Sequence, residues 1–189
     1  KAQARLMAMT TGAMVQEIEQ GLAVLTGITG ELPATSAAPG WRANDRLLEV
    51  KSNFPFRYNS DCRGNHPFYP VVNGKISNST GGAPTSVFTQ EYFDVSLQLI
   101  QALLDTGGVD SDSLLKPDAL NVLTIHAEAE GGRCSAMFEE YLDRVLKLGY
   151  RGVPLGVIAE EVRDSAPEGR IELCGFPGRE GELAVQKEL

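Results

Sequence analysis

The chain has 189 residues, 42% hydrophobic and 22% charged, with 17 Lys+Arg against 25 Asp+Glu and a formal net charge of −8. That balance excludes disorder, collagen and coiled coil as the overall state, suits a single domain with a real core, and argues against the clustered basic footprint that nucleic acid requires. No apolar run reaches the roughly 18 residues of a membrane span, and three cysteines (Cys62, Cys134, Cys174) without a C-x-x-C pair argue against a disulfide framework or a zinc knuckle.

In chain order, Met14, Ile18, Leu22 and Leu25 recur at three- and four-residue steps, which predicts an amphipathic helix over 11–28. Thr10 or Thr11 is its candidate cap and Gly30 its stop. Small residues over 33–37 predict a short buried strand, followed by the turn Ala38-Pro39-Gly40-Trp41-Arg42 with the only Trp. Asn44 or Asp45 can cap a helix over 45–52 that carries Leu47, Leu48 and Val50. A strand over 56–61 runs into Cys62-Arg63-Gly64. Residues 73–86 are rich in Asn, Gly, Ser, Thr and Pro and predict an exposed loop.

Phe93, Leu97, Ile100 and Leu104 predict a helix over 91–105, ended by Gly107-Gly108. The apolar run 119–125 predicts a strand buried on both faces, with His126 at its C-terminal end. Ser135 caps the clearest helix, 135–148, with Phe138, Leu142, Val145 and Leu146 on one stripe and Gly149 as its stop. A short strand near 151–153, a helix over 155–163, and a tail over 170–189 of a strand and then a Gly-rich loop complete the chain. The alternation predicts an α/β fold with mostly parallel strands, no internal repeat and no linker.

Parallel α/β sheets bind ligands at the C-terminal ends of their strands. Three segments end predicted strands with polar residues: Trp41-Arg42, Asn59 to Gly64, and His126 to Gly132. His126 is either a general acid or base, or a hydrogen-bonded core histidine. Glu128 and Glu130 follow at alternate positions. If the strand continued they would share its face and raise the imidazole pKa; a solvated acidic loop is the other reading, favoured for Glu130. Asp61 can orient an imidazole. Arg63 can pair with a carboxylate or hold an anion such as phosphate; a surface pair of Asp61 with Arg63 is the plainer alternative. Trp41 offers a flat face to a sugar ring, or packs in the core. His66 reads as a loop residue, and the cysteines as small buried apolar residues. There is no G-x-S-x-G, Walker, G-x-G-x-x-G or H-x-x-x-H motif.

Four blocks carry a resemblance: Ala38 to Ala43, Arg57-Tyr58-Asn59-Ser60-Asp61-Cys62-Arg63-Gly64, Thr124-Ile125-His126-Ala127-Glu128-Ala129-Glu130-Gly131, and Gly178-Arg179-Glu180-Gly181. In this order they resemble the NodB-like polysaccharide deacetylases, in the branch that removes an N-formyl group from a 4-formamido-arabinose carried on undecaprenyl phosphate. The resemblance implies a distorted (β/α)7 barrel, of which residues 1–189 form a single domain lacking its N-terminal part. It implies a C–N hydrolase of lipid A modification. A divalent metal held by an Asp and two His activates water. The ligands would lie before Lys1, so this chain alone holds no metal and is inactive. His126 matches the general acid that protonates the leaving amine, and Asp61 the carboxylate that supports it. Trp41 and Arg42 fall at the family's third motif, whose usual Arg is displaced; with Arg63 and Glu128 they are the candidate substrate-binding residues. Residues 73–93 depart from the family.

The implied partner is a lipid-linked amino sugar at the bacterial inner membrane, with no nucleic acid. The chain opens on Lys1 without Met or a leader and reads as cut from something longer. A partial barrel with uncovered edges predicts a marginal, association-prone monomer. A deacetylase of chitin-like or peptidoglycan sugars and a non-catalytic sugar- or lipid-phosphate-binding remnant are the competing readings.

Overall fold

The computed structural model describes residues 8–64, 66–77, 86–89, 120–123, 125–176 and 181–189. They fall into two compact units: Lys1–Thr89 with Leu155–Leu189, and Gln90–Pro154.

In the first unit, helix α1 spans Thr11–Thr29. Thr10 caps it, its Oγ1 accepting the Ala13 N–H at 3.3 Å. Gly30, at φ 78°, closes it in the left-handed region that glycine adopts without strain. The predicted stripe is covered from Met14 to Leu22 and open beyond it. Met14 is buried and Ile18 and Leu22 pack against the core, whereas Val24, Leu25 and Ile28 are exposed.

Strand β1 (Thr35–Ala37) and a single 3₁₀ turn, Pro39–Trp41, lead to helix α2 (Asp45–Lys51). Asn44 is its cap, accepting the Leu47 N–H at 3.0 Å. Strand β2 (Tyr58–Cys62) pairs parallel with β1, with Ser36 opposite Asn59. Strands β3 (Tyr69–Val72), β4 (Lys75–Ile76), β5 (Ser86–Thr89), β6 (Glu168–Gly175) and β7 (Glu182–Glu188) follow. One sheet has the order β1-β2-β5, the other β4-β3-β6-β7. Helix α2 buries Leu47, Leu48 and Val50 in a core with Phe54, Phe56, Phe68 and Ala184.

The fold is α/β, as expected, but the sheets are more mixed than the alternation predicts. The pairs β1/β2, β2/β5 and β3/β6 are parallel, while β3/β4 and β6/β7 are antiparallel. The expected loop over 73–86 gives way to strand at both ends. Asn73 (φ 52°) and Gly74 (φ 74°) make a two-residue turn of the kind that matches strand twist, joining β3 to β4. The tail is a hairpin: its glycine-rich stretch connects β6 to a second strand, β7, instead of ending the chain.

The second unit departs further. Residues 120–123 and 125 form no strand, and Ile125 is 51% exposed, not buried on both faces. An apolar run becomes a strand only beside hydrogen-bonding neighbours, and none pairs with it among the described residues. The strand expected near 151–153 is absent too. Gly152 weakens it, and Pro154 has no N–H to give a ladder. Helix α3 spans Ser135–Lys147, with Cys134 rather than Ser135 at its N-cap. Helix α4, Leu155–Glu161, belongs to the first unit. The helix predicted over 91–105 lies outside the described residues.

Candidate functional site

Because β1 and β2 run parallel, their C-terminal ends lie side by side. The turn after β1 carries Trp41 and Arg42, and the residue after β2 is Arg63. Arg63 is tied to β7 through its backbone: its N–H donates to Ala184 O at 2.9 Å, and its carbonyl accepts the Gln186 N–H at 2.6 Å. This fixes where its side chain starts. The guanidinium carbon lies over the Trp41 ring, 4.9 Å from the centroid, and over the Phe176 ring at 5.1 Å. A cation on an aromatic face is attracted by the ring quadrupole. One face of Trp41 is therefore covered by Arg63.

Trp41 has φ 55°, a left-handed backbone that costs an L residue roughly 1–2 kcal/mol. Its N–H donates to Ala38 O at 3.0 Å, closing the turn. The Arg42 guanidinium lies against Gly181 in the β6–β7 connection. A Cβ at Gly181 would stand 2.8 Å from Arg42 Nη1, and the glycine has φ +78°.

Behind this edge lies a polar interior. Ser36 Oγ donates to Asn59 Oδ1 across the β1–β2 pair. Asp61 is fully buried and accepts from Lys51 Nζ at 2.5 Å. Asp61 is thus paired with Lys51 of α2, not with Arg63. Its other oxygen, Oδ2, has no hydrogen-bond partner among the described residues. The neighbouring Cys62 thiol is pushed well above the ordinary cysteine range by burial, and further by the Asp61 charge. It stays protonated and is no nucleophile.

His126, Glu128 and Glu130 lie in the second unit. The chain turns helical directly after His126, so the alternation expected of a strand does not hold there. Residues two apart on a helical turn do not share a face. His126 and Glu128 are exposed. Glu130 is only 6% exposed, not a solvated loop carboxylate. It clasps the turn: the His126 N–H donates to its Oε2 at 2.5 Å, and its own N–H donates to His126 O at 2.9 Å.

The first unit therefore brings together Trp41, Arg42 and Arg63 at one sheet edge, with Asp61 beneath. Lys51 and Phe176 join them without having been expected. The signal for Lys51 was present: it stands three and four residues after Leu48 and Leu47, on the buried stripe of α2, where a lysine needs a carboxylate. A cleft of about 460 Å³ between the start of α2 and β6, lined by Ala43, Asn44, Asp45, Arg46, Ile171, Glu172 and Leu173, contains none of the expected residues. Among the described residues no three His, Cys, Asp or Glu side chains stand where they could hold a metal ion. The chain has two histidines, and neither belongs to such a group among the described residues. The described residues offer the implied metal no ligand set.

Curated relatives match the chain, two of them as follows. One, from Shewanella sediminis (strain HAW-EB3), is 33% identical over all 189 residues and is covered over 59% of its own length. The other, from Wigglesworthia glossinidia brevipalpis, is 32% identical over 155 residues, which is 81% of this chain and 52% of that protein. Both are named "Probable 4-deoxy-4-formamido-L-arabinose-phosphoundecaprenol deformylase ArnD", hydrolases of a C–N bond other than a peptide bond. The chain thus spans about half the length of the curated relatives it matches. No protein-family model matches it.

Proposed function

We propose that this chain, a relative of the formamido-arabinose deformylases, carries substrate-binding and proton-donating residues of a metal-dependent enzyme that removes the N-formyl group from 4-formamido-arabinose on undecaprenyl phosphate in lipid A modification. The observation that carries this reading is the match of the whole chain to a relative of that name at 33% identity. The cluster of Trp41, Arg42 and Arg63 at the C-terminal edge of β1 and β2 supports it, because parallel sheets bind ligands there. A distorted barrel of the deacetylase type is the architecture that goes with it.

Hydrolysis adds water across the formamide C–N bond and yields formate and a free amine. The nitrogen leaves well only if it is protonated as the bond breaks. His126 is the general acid in this reading; the resemblance gives the supporting role to Asp61, which is buried against Lys51. Trp41 contributes its ring to the sugar site. Arg42, Arg63 and Glu128 bind the polar parts of the substrate. The enzyme works at the inner-membrane surface, where its lipid-linked substrate is. Among the described residues no helix is long and apolar enough to cross a membrane.

The test is to titrate the purified chain with the detergent-solubilised lipid-linked formamido sugar, following Trp41 fluorescence, and to assay formate with divalent metal added. Saturable binding without formate release is expected, since no donor set for a metal stands among the described residues. Absence of binding contradicts the substrate assignment; formate release contradicts the inactivity of the isolated chain.

A further inference from the structure

Glu130 has no part in the function proposed above, yet it is only 6% exposed, while the helix that follows, α3, buries none of its residues. A carboxylate taken out of water needs hydrogen-bond donors. The His126 N–H is one, 2.5 Å from Oε2, and the Glu130 N–H donates in return to His126 O at 2.9 Å. The N–H and the carbonyl on either side of the His126 Cα are thus both bonded to one residue. Fixing the two peptide groups that flank a Cα fixes its φ and ψ, and with them the direction in which the side chain leaves the chain. His126 itself stays exposed. Glu130 lies in a π-turn, Ala129–Arg133, whose Gly132 departs from helical values at φ −118°, ψ −113°. Such turns occur frequently at functional sites.

Resting on the proposed role of His126 as general acid, we infer that Glu130 is its positioning residue: the buried carboxylate fixes the His126 backbone so that the imidazole meets the leaving nitrogen. A general acid works only within hydrogen-bond reach of the atom it protonates, and a misplacement of about 1 Å can cost about 100-fold in rate. The proton passes from the imidazole to the nitrogen as the C–N bond breaks; Glu130 neither gives nor takes one. The role requires an acceptor at the end of a side chain of this length. It does not require a negative charge.

Two variants separate reach from charge. Glu130→Gln keeps an acceptor at the same distance and loses the charge; Glu130→Asp keeps the charge and is one methylene short. In the full 189-residue chain, NMR relaxation reads the order of the His126 amide. An order parameter of about 0.85 is expected for the parent and Glu130→Gln, and one below about 0.6 for Glu130→Asp. Kinetics are read in a chimera of the Shewanella sediminis relative that carries these 189 residues in place of its matching stretch. Glu130→Asp should lower kcat about 10-fold with KM unchanged, because a misplaced acid is missed only in the transition state. Glu130→Gln should stay within about 3-fold of the parent. Circular dichroism melts check that both variants fold. Should Glu130→Asp fail to fold, Glu130→Gln decides alone: a folded variant with a mobile His126 amide overturns the inference. A folded Glu130→Asp variant with parental kcat, beside a His126→Gln variant that is slow, overturns the inference and leaves the proposed function standing. A His126→Gln variant as fast as its parent overturns the proposed function, and the inference with it.

Discussion

Lys51 and Asp61 meet between helix α2 and strand β2, Nζ to Oδ1 at 2.5 Å, with 4% and 0% of their side chains exposed. Two buried charges this close hold each other in place, and losing one strands the other. Lys51→Met should therefore destabilise the first unit by about 3–5 kcal/mol. Adding Asp61→Leu should recover most of that loss, because an apolar pair leaves no orphan charge. Urea unfolding followed by Trp41 fluorescence reads both variants. A Lys51→Met protein as stable as the parent would remove the pair from the account.

Cys62 gives a pH dependence with a definite sign. Burial, then the Asp61 charge, raise its folded pKa well above the ordinary value near 9.0. The unfolded chain loses the thiol proton first, so it binds fewer protons than the folded chain above about pH 9. This contribution to stability is intact below that pH and is lost as pH rises toward the folded pKa. The loss is at most about 1.4 kcal/mol per pH unit. Urea midpoints between pH 8 and 10.5 should fall in the parent and fall less in Cys62→Ala. Parallel slopes in the two proteins would contradict the assignment.

Much of the first unit was legible. Capping and periodicity give α1 and α2, and the sequence places Trp41, Arg42 and Arg63 directly after strands, where the structure has them. The Asn73-Gly74 turn is masked in the sequence by the surrounding Ser, Thr and Pro residues, which have the composition of a loop. Lys51 was hidden by its type, since lysine is expected outside, although its spacing put it on the apolar stripe. The Arg63–Phe176 contact was not legible at all. It joins residues more than a hundred positions apart, and only the β6–β7 hairpin brings them together. The strand expected over 119–125 is not formed at residues 120–123 and 125, because apolar composition does not supply a pairing neighbour.

Gly181 should tolerate no side chain. At φ +78°, with Arg42 Nη1 2.8 Å from where a Cβ would stand, Gly181→Ala should cost about 1 kcal/mol in backbone strain and push the Arg42 guanidinium aside. Gly175→Ala, where nothing lies within 4 Å and φ is not positive, is the control and should be close to neutral. Thermal melts of the two variants should separate clearly. Equal melting temperatures would contradict the account of Gly181.

The two glutamates after His126 should behave differently. Glu130 is buried and holds the His126 N–H, whereas Glu128 is exposed. Glu130→Ala should speed hydrogen exchange at the His126 amide about 10-fold or more, as expected for loss of a hydrogen bond to a charged group. Glu128→Ala should leave that rate nearly unchanged. The reverse order would refute the clasp.

In the proposed function this chain supplies the proton-donating residue and the sugar-binding edge of a formamide hydrolase. The most direct measurement replaces the matching stretch of the Shewanella sediminis relative with these 189 residues. Formate release from the lipid-linked formamido sugar is then compared with the same protein carrying His126→Gln. The account predicts an active chimera whose rate falls at least about 100-fold on loss of the imidazole, the usual contribution of a general acid. A folded chimera with no activity, or a His126→Gln variant as fast as its parent, would contradict it.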